Sequence, residues 1–350
     1  ITPPGFLNYL LKNNRPNVLS EGTVDGNGHL RNIQIKYRTR GIEQNVSSYD
    51  NCQVDVVPAY KETAVSTSYF SKLGMYLSDT DISKYESDAS RTIAVGKPAT
   101  SMMNELYSVL LEQAQALFQR IDHNLVTALS ANIGVNQVTG SAAAQTVNFN
   151  LSGAVNNFAE GMTKVMSDVV VNEMDPNKVS IIGNGFINSF MMQKQFGAIS
   201  ANQSGINNGV IGPGSPDFFW DPKTTTILGA NKFVVIEKDA MQLINITRFK
   251  GSFGGVKPTA ILGTITLPVA DAQGNSLLAY EFDFEMKYYD CPTVVTVSEY
   301  GGANNYVAPR GWSLFLMTSY DLVKIPTDAY GATDRLFQNN GSLLFTATNA

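Results

Sequence analysis

The stretch that decides the fold runs from residue 99 to residue 132 and reads ATSMMNELYSVLLEQAQALFQRIDHNLVTALSAN. Its apolar residues recur every three or four positions, which is the spacing of one helix face. They are Met103, Leu106, Leu110, Ala114, Leu117, Ile121, Leu125 and Ala128. Pro98 precedes the stretch and Gly134 follows it, as expected for the two ends of a helix. At 1.5 Å per residue, the pattern predicts one helix of about 50 Å, a spine on which other parts pack.

The chain before this spine helix begins with an arm. Proline and glycine interrupt residues 1–30 and predict an irregular segment without a core of its own. A short apolar turn from Phe6 to Leu11 can dock on another part of the molecule. Residues 32–40 then alternate between apolar and polar side chains, which predicts a half-buried strand.

Residues 41–96 contain short β-prone runs separated by polar loops. The segment has too few large apolar residues to fold alone, so we expect an extended hairpin that lies on a neighbouring molecule.

The chain after the spine helix divides into two parts. An α/β region combines a strand at 146–151, a helix from Ser152 to Glu173 and a helix from Asn184 to Phe196 with three buried strands. Those strands are Lys178–Ile182, Phe233–Ile236 and the adjoining Met241–Ile246. From residue 260 the pattern is mainly β, and four strands are predicted: Leu277–Tyr288, Val294–Val297, Ser313–Met317 and Leu343–Phe345.

The composition narrows the classes of function. Only 16% of the 350 residues are charged, which suits a protein that covers its exterior with copies of itself, and equally a fibre or an adhesin. The formal net charge of −5 argues against a dedicated nucleic-acid binder, which needs clustered Lys and Arg. No apolar run reaches membrane-spanning length, so no membrane partner is predicted. The two cysteines, Cys52 and Cys291, are predicted to be reduced thiols.

The sequence contains no motif specific enough to indicate a catalytic site. The only histidines are His29 and His123, and no metal-binding spacing of His or Cys occurs. The glycine clusters 205–214 and 251–255 match neither phosphate-binding pattern. The carboxylates of the strand Leu277–Tyr288 alternate with its aromatic residues, which predicts a solvent-facing or subunit-facing row and not a glycosidase pair. We therefore predict no catalytic residue, no cofactor and no metal, and a protein that is not an enzyme.

The order of arm, extended hairpin, spine helix, α/β region and late strands resembles the major capsid protein of tailed phages, the Hong Kong 97-type fold. The stretch DPNKVSII at 175–182 is similar to a strand of the axial domain in such coats. The stretches SYDLV at 319–323, TDRL at 333–336 and Asn340-Gly341 are similar to coat C-termini.

This resemblance implies an α+β capsid fold in five parts: an N-terminal arm (1–40), an extended β-hairpin loop (41–96), a peripheral domain with the spine helix (97–150), a central α/β axial domain (151–260) and late strands that return to both domains (261–350). It implies self-assembly into pentamers and hexamers of an icosahedral shell around phage DNA. The implied location is the virion capsid, assembled in the bacterial host cytoplasm. Many copies of the chain would be the main partners, with portal and decoration proteins as further candidates and double-stranded DNA touched weakly and non-specifically.

Two other structural roles remain open at the level of sequence. The first is an encapsulin-like nanocompartment shell, which shares the fold and encloses a protein cargo. The second is a β-rich phage fibre or adhesin, which would form a rod and not a sphere.

The implied assembly gives a role to charges on the strand at 32–40. One face carries three cations, which we call the basic stripe: Lys36, Arg38 and Arg40. Because like charges in a row repel, an anionic partner is expected; the alternatives are solvent, packaged DNA and carboxylates of an adjacent subunit. The candidate carboxylates lie in the predicted loop, and we call them the acidic segment: Asp79, Asp81, Glu86 and Asp88.

Overall fold

The computed structural model describes most of the chain in separate ranges. These are residues 3–13, 18–24, 30–38, 60–65, 69–83, 92–94, 97–98, 102–131, 133, 145–149, 158–172, 174–184, 216–238, 240–247, 260–270, 279–290, 293–299, 302–308, 310–324 and 341–348. The described part is a mixture of helix and strand in which strands predominate.

Four helices have defined bounds: α1 (Gly5–Asn13), α2 (Met102–Ser130), α3 (Phe158–Val171) and α4 (Lys223–Ile227). The prediction of a spine helix is confirmed, because α2 is one unbroken helix of 29 residues. The helix predicted from Ser152 appears as α3, and residues 152–157 lie outside the described ranges. The helix predicted from Asn184 to Phe196 also lies outside them, apart from Asn184, which belongs to no element.

The strands of the described ranges follow in chain order. They are β1 (Val18–Val24), β2 (Leu30–Arg38), β3 (Tyr60–Val65), β4 (Tyr69–Ser78), β5 (Thr92–Ala94), β6 (Lys97–Pro98), β7 (Gln145–Asn148), β8 (Val179–Gly183), β9 (Asp217–Trp220), β10 (Lys232–Glu237), β11 (Met241–Ile246), β12 (Ala260–Leu267), β13 (Tyr280–Tyr289), β14 (Thr293–Glu299), β15 (Gly302–Ala308), β16 (Gly311–Lys324) and β17 (Ser342–Thr348).

One sheet, which we call the spine sheet, is organised around β16. On one side β16 pairs with β4, and on the other it pairs first with β13 and then with β11. β12 extends the sheet beyond β13, and every pairing is antiparallel. The sequence predicted only Ser313–Met317 as a strand, because the apolar alternation stops at Thr318 and Ser319. Both of these polar residues are buried in the structure, and the strand runs through them.

The second sheet, which we call the central sheet, has the strand order β7-β17-β10-β8-β9. Its middle strands are buried on both faces, which explains their nearly continuous apolar sequences. In β10, Phe233 and Val235 join a core that also contains apolar residues of α3. Val234 and Ile236 point to the opposite face and join the core around α1 and α2. Successive residues of one strand therefore stabilise two different cores.

The spine helix packs where the two sheets approach each other. Its buried face, which includes Leu117, Ile121 and Leu125, contacts apolar residues from both sheets in one core. The Phe118 ring meets the Tyr280 ring of the spine sheet edge to face, with centroids 5.3 Å apart. The predicted burial of the apolar face is thus confirmed for its central part, from Ala114 to Leu125. Leu110 and Ala128 are half-buried, and the side chains of Met103 and Leu106 lie outside the described residues.

The strands β10 and β11 adjoin in sequence but belong to different sheets. Glu237 ends β10 and Met241 begins β11, so residues 238–240 connect the central sheet to the spine sheet. The Glu237 amide donates a hydrogen bond of 2.9 Å to the Gly341 carbonyl oxygen, just before β17. Gly341 has a φ of 74°, and a Cβ added there would collide with the Cβ of Ala240.

Three expectations from sequence were wrong in detail. The arm 1–30 is not irregular, because α1 and β1 lie within it and β1 pairs with β2. The end of the predicted loop 41–96 contains β4, which pairs with β16 inside the spine sheet. Asp283 does not face solvent: only 4% of it is exposed, and its carboxylate accepts a hydrogen bond of 3.1 Å from Thr264 Oγ1.

The hairpin of β14 and β15 was predicted only in its first strand. The second strand reads GANNYVA, in which too few apolar residues alternate to give a strand signal.

Candidate functional site

The N-terminal helix α1 packs against the spine helix, β9 of the central sheet and β11 of the spine sheet. Five of its side chains are buried there: Phe6, Leu7, Tyr9, Leu10 and Leu11. A helix of nine residues is too short to be stable alone in water. Burying each of these side chains contributes roughly 1.5–3 kcal/mol, so the site and not the helix propensity holds α1 in place.

Aromatic contacts fix the orientation of α1 in this site. The Tyr9 ring stacks on the Phe6 ring with centroids 5.8 Å apart, and its other neighbour, Phe219 of β9, meets it edge to face at 5.4 Å. The Tyr9 hydroxyl donates a hydrogen bond of 3.3 Å to the carbonyl oxygen of Glu237. The ammonium of Lys12 lies 5.6 Å from the Phe219 ring centroid, within cation–π range.

Two aspartates from distant parts of the chain bind the amino end of α1. The Phe6 amide donates to Asp221 Oδ2 at 3.2 Å, and the Leu7 amide donates to Asp122 Oδ1 at 2.9 Å. Both carboxylates are fully buried. The first amides of a helix have no partner within the helix, and negative charge near them is favourable. We call this arrangement the carboxylate pair.

A single lysine neutralises part of the carboxylate pair. Lys223 Nζ lies 2.6 Å from Asp122 Oδ2 and also donates to the Gln119 carbonyl oxygen at 3.0 Å. Asp221 instead binds the backbone directly before and at the start of α4, because its Oδ1 accepts a hydrogen bond of 2.9 Å from the Lys223 amide.

The pKa of Asp122 is raised from 3.8 to about 6: burial is the largest cause and the nearby charge of Asp221 adds to it, while Lys223 and the Leu7 amide act in the opposite direction. Desolvation and like charge thus outweigh the ion pair, as they often do for buried carboxylates. The site therefore holds two acids and one cation at a helix terminus.

Gly5 brings the amino end of α1 into direct contact with this site. A Cβ added at Gly5 would lie 2.5 Å from Asp221 Cβ and 2.7 Å from the Trp220 carbonyl oxygen. Because these atoms belong to the backbone and the root of a buried side chain, they cannot move aside easily. Only glycine allows this close approach.

The described residues contain no arrangement suited to metal chemistry. No group of three or more His, Cys, Asp or Glu side chains in the described ranges can hold a metal ion. His123 is exposed on the spine helix, whereas His29, Cys52 and Cys291 lie outside the described residues. Within the same ranges, none of the helices combines the length and apolar character that crossing a membrane requires.

The basic stripe is only partly described. The backbone of Lys36 and Arg38 belongs to β2, and Arg40 lies outside the described ranges. The register of β2 and β3 places Glu62 opposite Lys36. Glu62 is thus a carboxylate of the same chain that the analysis of the sequence did not consider as a partner.

Two of the four residues of the acidic segment, Asp79 and Asp81, are described, in a helical turn at 79–83 directly after β4. The Tyr288 hydroxyl donates to Asp79 Oδ2 at 2.8 Å, and the Ser78 hydroxyl donates to Asp81 Oδ2 at 2.6 Å. Each carboxylate therefore already binds a neighbouring side chain within the chain. Glu86 and Asp88 lie outside the described ranges.

The outer strands of the two sheets carry large exposed apolar residues. In the spine sheet these are Phe70 of β4, which is 54% exposed, and Ile261 of β12, which is 52% exposed. In the central sheet it is Trp220 of β9. Such residues at sheet edges favour contact with other molecules.

Comparison with known proteins gives a match at the level of structure only. No protein-family model matches the sequence, and no curated protein matches it either. The structure is similar to the "Cyanophage A-1(L) capsid asymmetric unit", with a TM-score of 0.52 and 11% identity over 98% of this chain and 92% of that one. The "Capsid structure of the Cyanophage P-SCSP1u" gives a TM-score of 0.46 at 9% identity over 100% and 90% of the two chains. Mycobacterium phage Adephagia gives 0.43 at 11% identity over 94% and 91%.

The first of these matches shows the fold, and the fold is that of a phage capsid chain. The resemblance to a phage coat that was predicted from the order of elements is therefore confirmed at the level of the fold. At 11% identity the comparison carries no residue roles from that protein to this chain.

Proposed function

We propose that this chain is the major capsid protein of a tailed phage, with a Hong Kong 97-type fold and a structural, non-catalytic role. In this proposal it assembles into pentamers and hexamers of an icosahedral shell that encloses double-stranded DNA. The observation that carries the proposal is the match to a cyanophage capsid chain over nearly the full length of both chains. The low charged fraction and the exposed apolar residues on the outer strands support it.

The proposed parts of the subunit follow the boundaries at residues 40, 96, 150 and 260. Because β4 belongs to the spine sheet, the portion of the loop that extends toward a neighbour is proposed to lie before residue 69. The proposed site of assembly is the bacterial host cytoplasm. Portal and decoration proteins are proposed as partners, and DNA is proposed to touch the shell weakly, since the chain has a net charge of −5.

Electron microscopy of the purified full-length chain tests this proposal directly. We expect closed spherical shells or rings of five and six subunits. Shells that co-purify with a protein cargo and no nucleic acid would identify a nanocompartment instead, and rods would identify a fibre. A stable monomer at high concentration and physiological salt would refute all three structural roles.

A second part of the proposal concerns contacts between subunits. The basic stripe of one subunit is proposed to pair with the acidic segment of its neighbour, because an Arg side chain can bind a carboxylate with two hydrogen bonds. We expect the double substitution Arg38→Glu with Arg40→Glu to block shell assembly while the subunit stays folded, as measured by sedimentation and circular dichroism. Restored assembly on changing Asp79 or Asp81 to Lys in that background would support the pairing. Normal shells from the double variant would exclude it.

A matched control addresses the carboxylate found within the chain. Glu62→Lys removes the intrachain candidate that lies opposite Lys36. If Glu62→Lys restores assembly to the double variant and changes in the acidic segment do not, the stripe pairs within its own sheet.

A further inference from the structure

We propose that Asp122 and Asp221 form a proton-dependent latch, in which uptake of one proton by the carboxylate pair holds α1 more tightly against the spine helix. The geometry points to this role because two fully buried carboxylates accept hydrogen bonds from the first amides of α1, whereas a single cation, Lys223, pairs with them among the described residues. The inference does not depend on the proposed function of the shell.

When both aspartates are ionised, the site carries two negative charges and only one positive charge among the described residues. Asp122 comes from α2 and Asp221 from the turn before α4, and Lys223 is the one described cation that pairs with them. The other described elements packed against α1 add little charge. β11 contains no ionisable residue, and Asp217 of β9 is paired with Lys238 at 3.0 Å. Arg120 and His123, the charged or titratable neighbours of Asp122 along α2, are exposed.

The direction of the pH effect follows from which state binds the proton better. Docking of α1 contributes to the burial of the carboxylate pair, and burial favours the neutral form of an acid. The Leu7 hydrogen bond made on docking favours the charged form of Asp122, but its effect on the pKa is smaller than that of burial. When α1 leaves, water reaches the pair and the charged forms are no longer penalised. The docked state therefore binds a proton more tightly than the undocked state, and docking strengthens as the pH falls.

The size of the effect is set by the two pKa values of Asp122. If the pKa is about 6 when docked and returns to 3.8 when undocked, docking strengthens by up to about tenfold between about pH 7.5 and pH 5. Within this range, most of the change should occur below pH 6, because the gain begins near the docked pKa and continues as the pH falls toward the undocked one.

Hydrogen exchange of the full-length subunit, read by mass spectrometry and corrected for the intrinsic exchange rate, measures this equilibrium. We expect the amides of residues 8–11 to be up to about tenfold better protected at about pH 5 than at about pH 7.5. The amides of β10 in the central sheet serve as an internal reference. Their protection should change much less, because they report opening of the core and not of α1.

Asp122→Asn separates the latch from general packing. Asparagine keeps an oxygen that can accept the Leu7 hydrogen bond but cannot ionise, so protection of residues 8–11 should become independent of pH. Asp175→Asn, in the exposed turn before β8, is the matched control and should leave the pH dependence unchanged. If Asp122→Asn does not fold, the wild-type titration still decides, because the protection of residues 8–11 should be flat above about pH 7 and begin to rise near pH 6 as the pH falls.

Several outcomes would overturn the inference. Protection of residues 8–11 that changes by less than about twofold, or that rises with pH, contradicts the sign worked out above. An equal change in β10 would show that the whole core responds and not the latch. A folded Asp122→Asn variant that keeps the wild-type pH dependence would assign the effect to another group.

Discussion

Replacement of Gly5 by alanine gives the sharpest test of how α1 is held. Considered as a helix residue alone, alanine is better than glycine by up to about 1 kcal/mol, so helix propensity predicts a more stable protein. The structure predicts the opposite, because the new methyl group would lie 2.5 Å from Asp221 Cβ and 2.7 Å from the Trp220 carbonyl oxygen. Real Cβ atoms do not approach other heavy atoms so closely, and α1 must shift.

The expected cost can be bounded from both sides. Complete undocking would expose five buried side chains, each worth roughly 1.5–3 kcal/mol, so a local shift is cheaper. Overpacking of this kind costs typically about 1–3 kcal/mol. After the gain in propensity, we expect α1 to be held about 1–2 kcal/mol less tightly, a fall of about 5- to 30-fold in the protection of its amides against hydrogen exchange.

The measurement is native-state hydrogen exchange at one fixed pH, with thermal unfolding as a second readout. Lys12→Ala is the matched control, because it also introduces alanine into α1 but at an exposed position without a clash. It removes only the contact with the Phe219 ring, which is worth about 0.5–1 kcal/mol at an exposed site, so its loss of protection should be the smaller of the two. Equal or greater protection of α1 in Gly5→Ala would refute the close approach described here. An equal loss in Lys12→Ala would show that α1 responds to any substitution.

Three further predictions address the spine helix, the loop and the buried hydroxyl of the spine sheet. Leu117→Ala should lower the free energy of unfolding by roughly 2–5 kcal/mol through the cavity it leaves, whereas Gln119→Ala on the exposed face should cost little. Equal melting curves for the two variants would contradict the packing of this face. Limited proteolysis of unassembled subunits should cut first within residues 41–68 and spare β4, and cleavage inside β4 would contradict its place in the spine sheet. Tyr280→Phe removes a buried hydroxyl that lies 2.9 Å from Thr318 Oγ1. The free energy of unfolding, measured by chemical denaturation, should fall by about 1 kcal/mol or more. An unchanged unfolding midpoint would show that this hydrogen bond contributes nothing.

The sequence alone predicts those parts of the fold whose stabilising contacts repeat locally. The spine helix is recovered because its apolar face recurs over 29 residues. β10 is recovered because its apolar run Phe233–Ile236 is uninterrupted, and β11 because only Gln242 and Asn245 interrupt its apolar residues. Sheet membership is not recovered, since nothing in the three residues 238–240 indicates that the chain passes from one sheet to the other.

The docking site of α1 could be predicted only in part for a related reason. The apolar turn from Phe6 to Leu11 signals that something is buried, but its receptor lies elsewhere in the chain. Asp122 and Asp221 are 115 and 215 positions away from the amides they bind, and neither belongs to a recognisable motif. The one local signal was Gly5. Because it follows two prolines, the sequence suggests that it interrupts regular structure, whereas in the structure it allows α1 to approach Asp221 closely.

The short connection between β10 and β11 has a mechanical consequence. Three residues, 238–240, join β10 to β11, and the Glu237–Gly341 hydrogen bond ties the end of β10 to the residue before β17. A rotation of one sheet relative to the other would have to be accommodated by the backbone torsions of this connection. Glycine at position 341 lets the chain before β17 lie against it, because a Cβ added there would collide with the Cβ of Ala240.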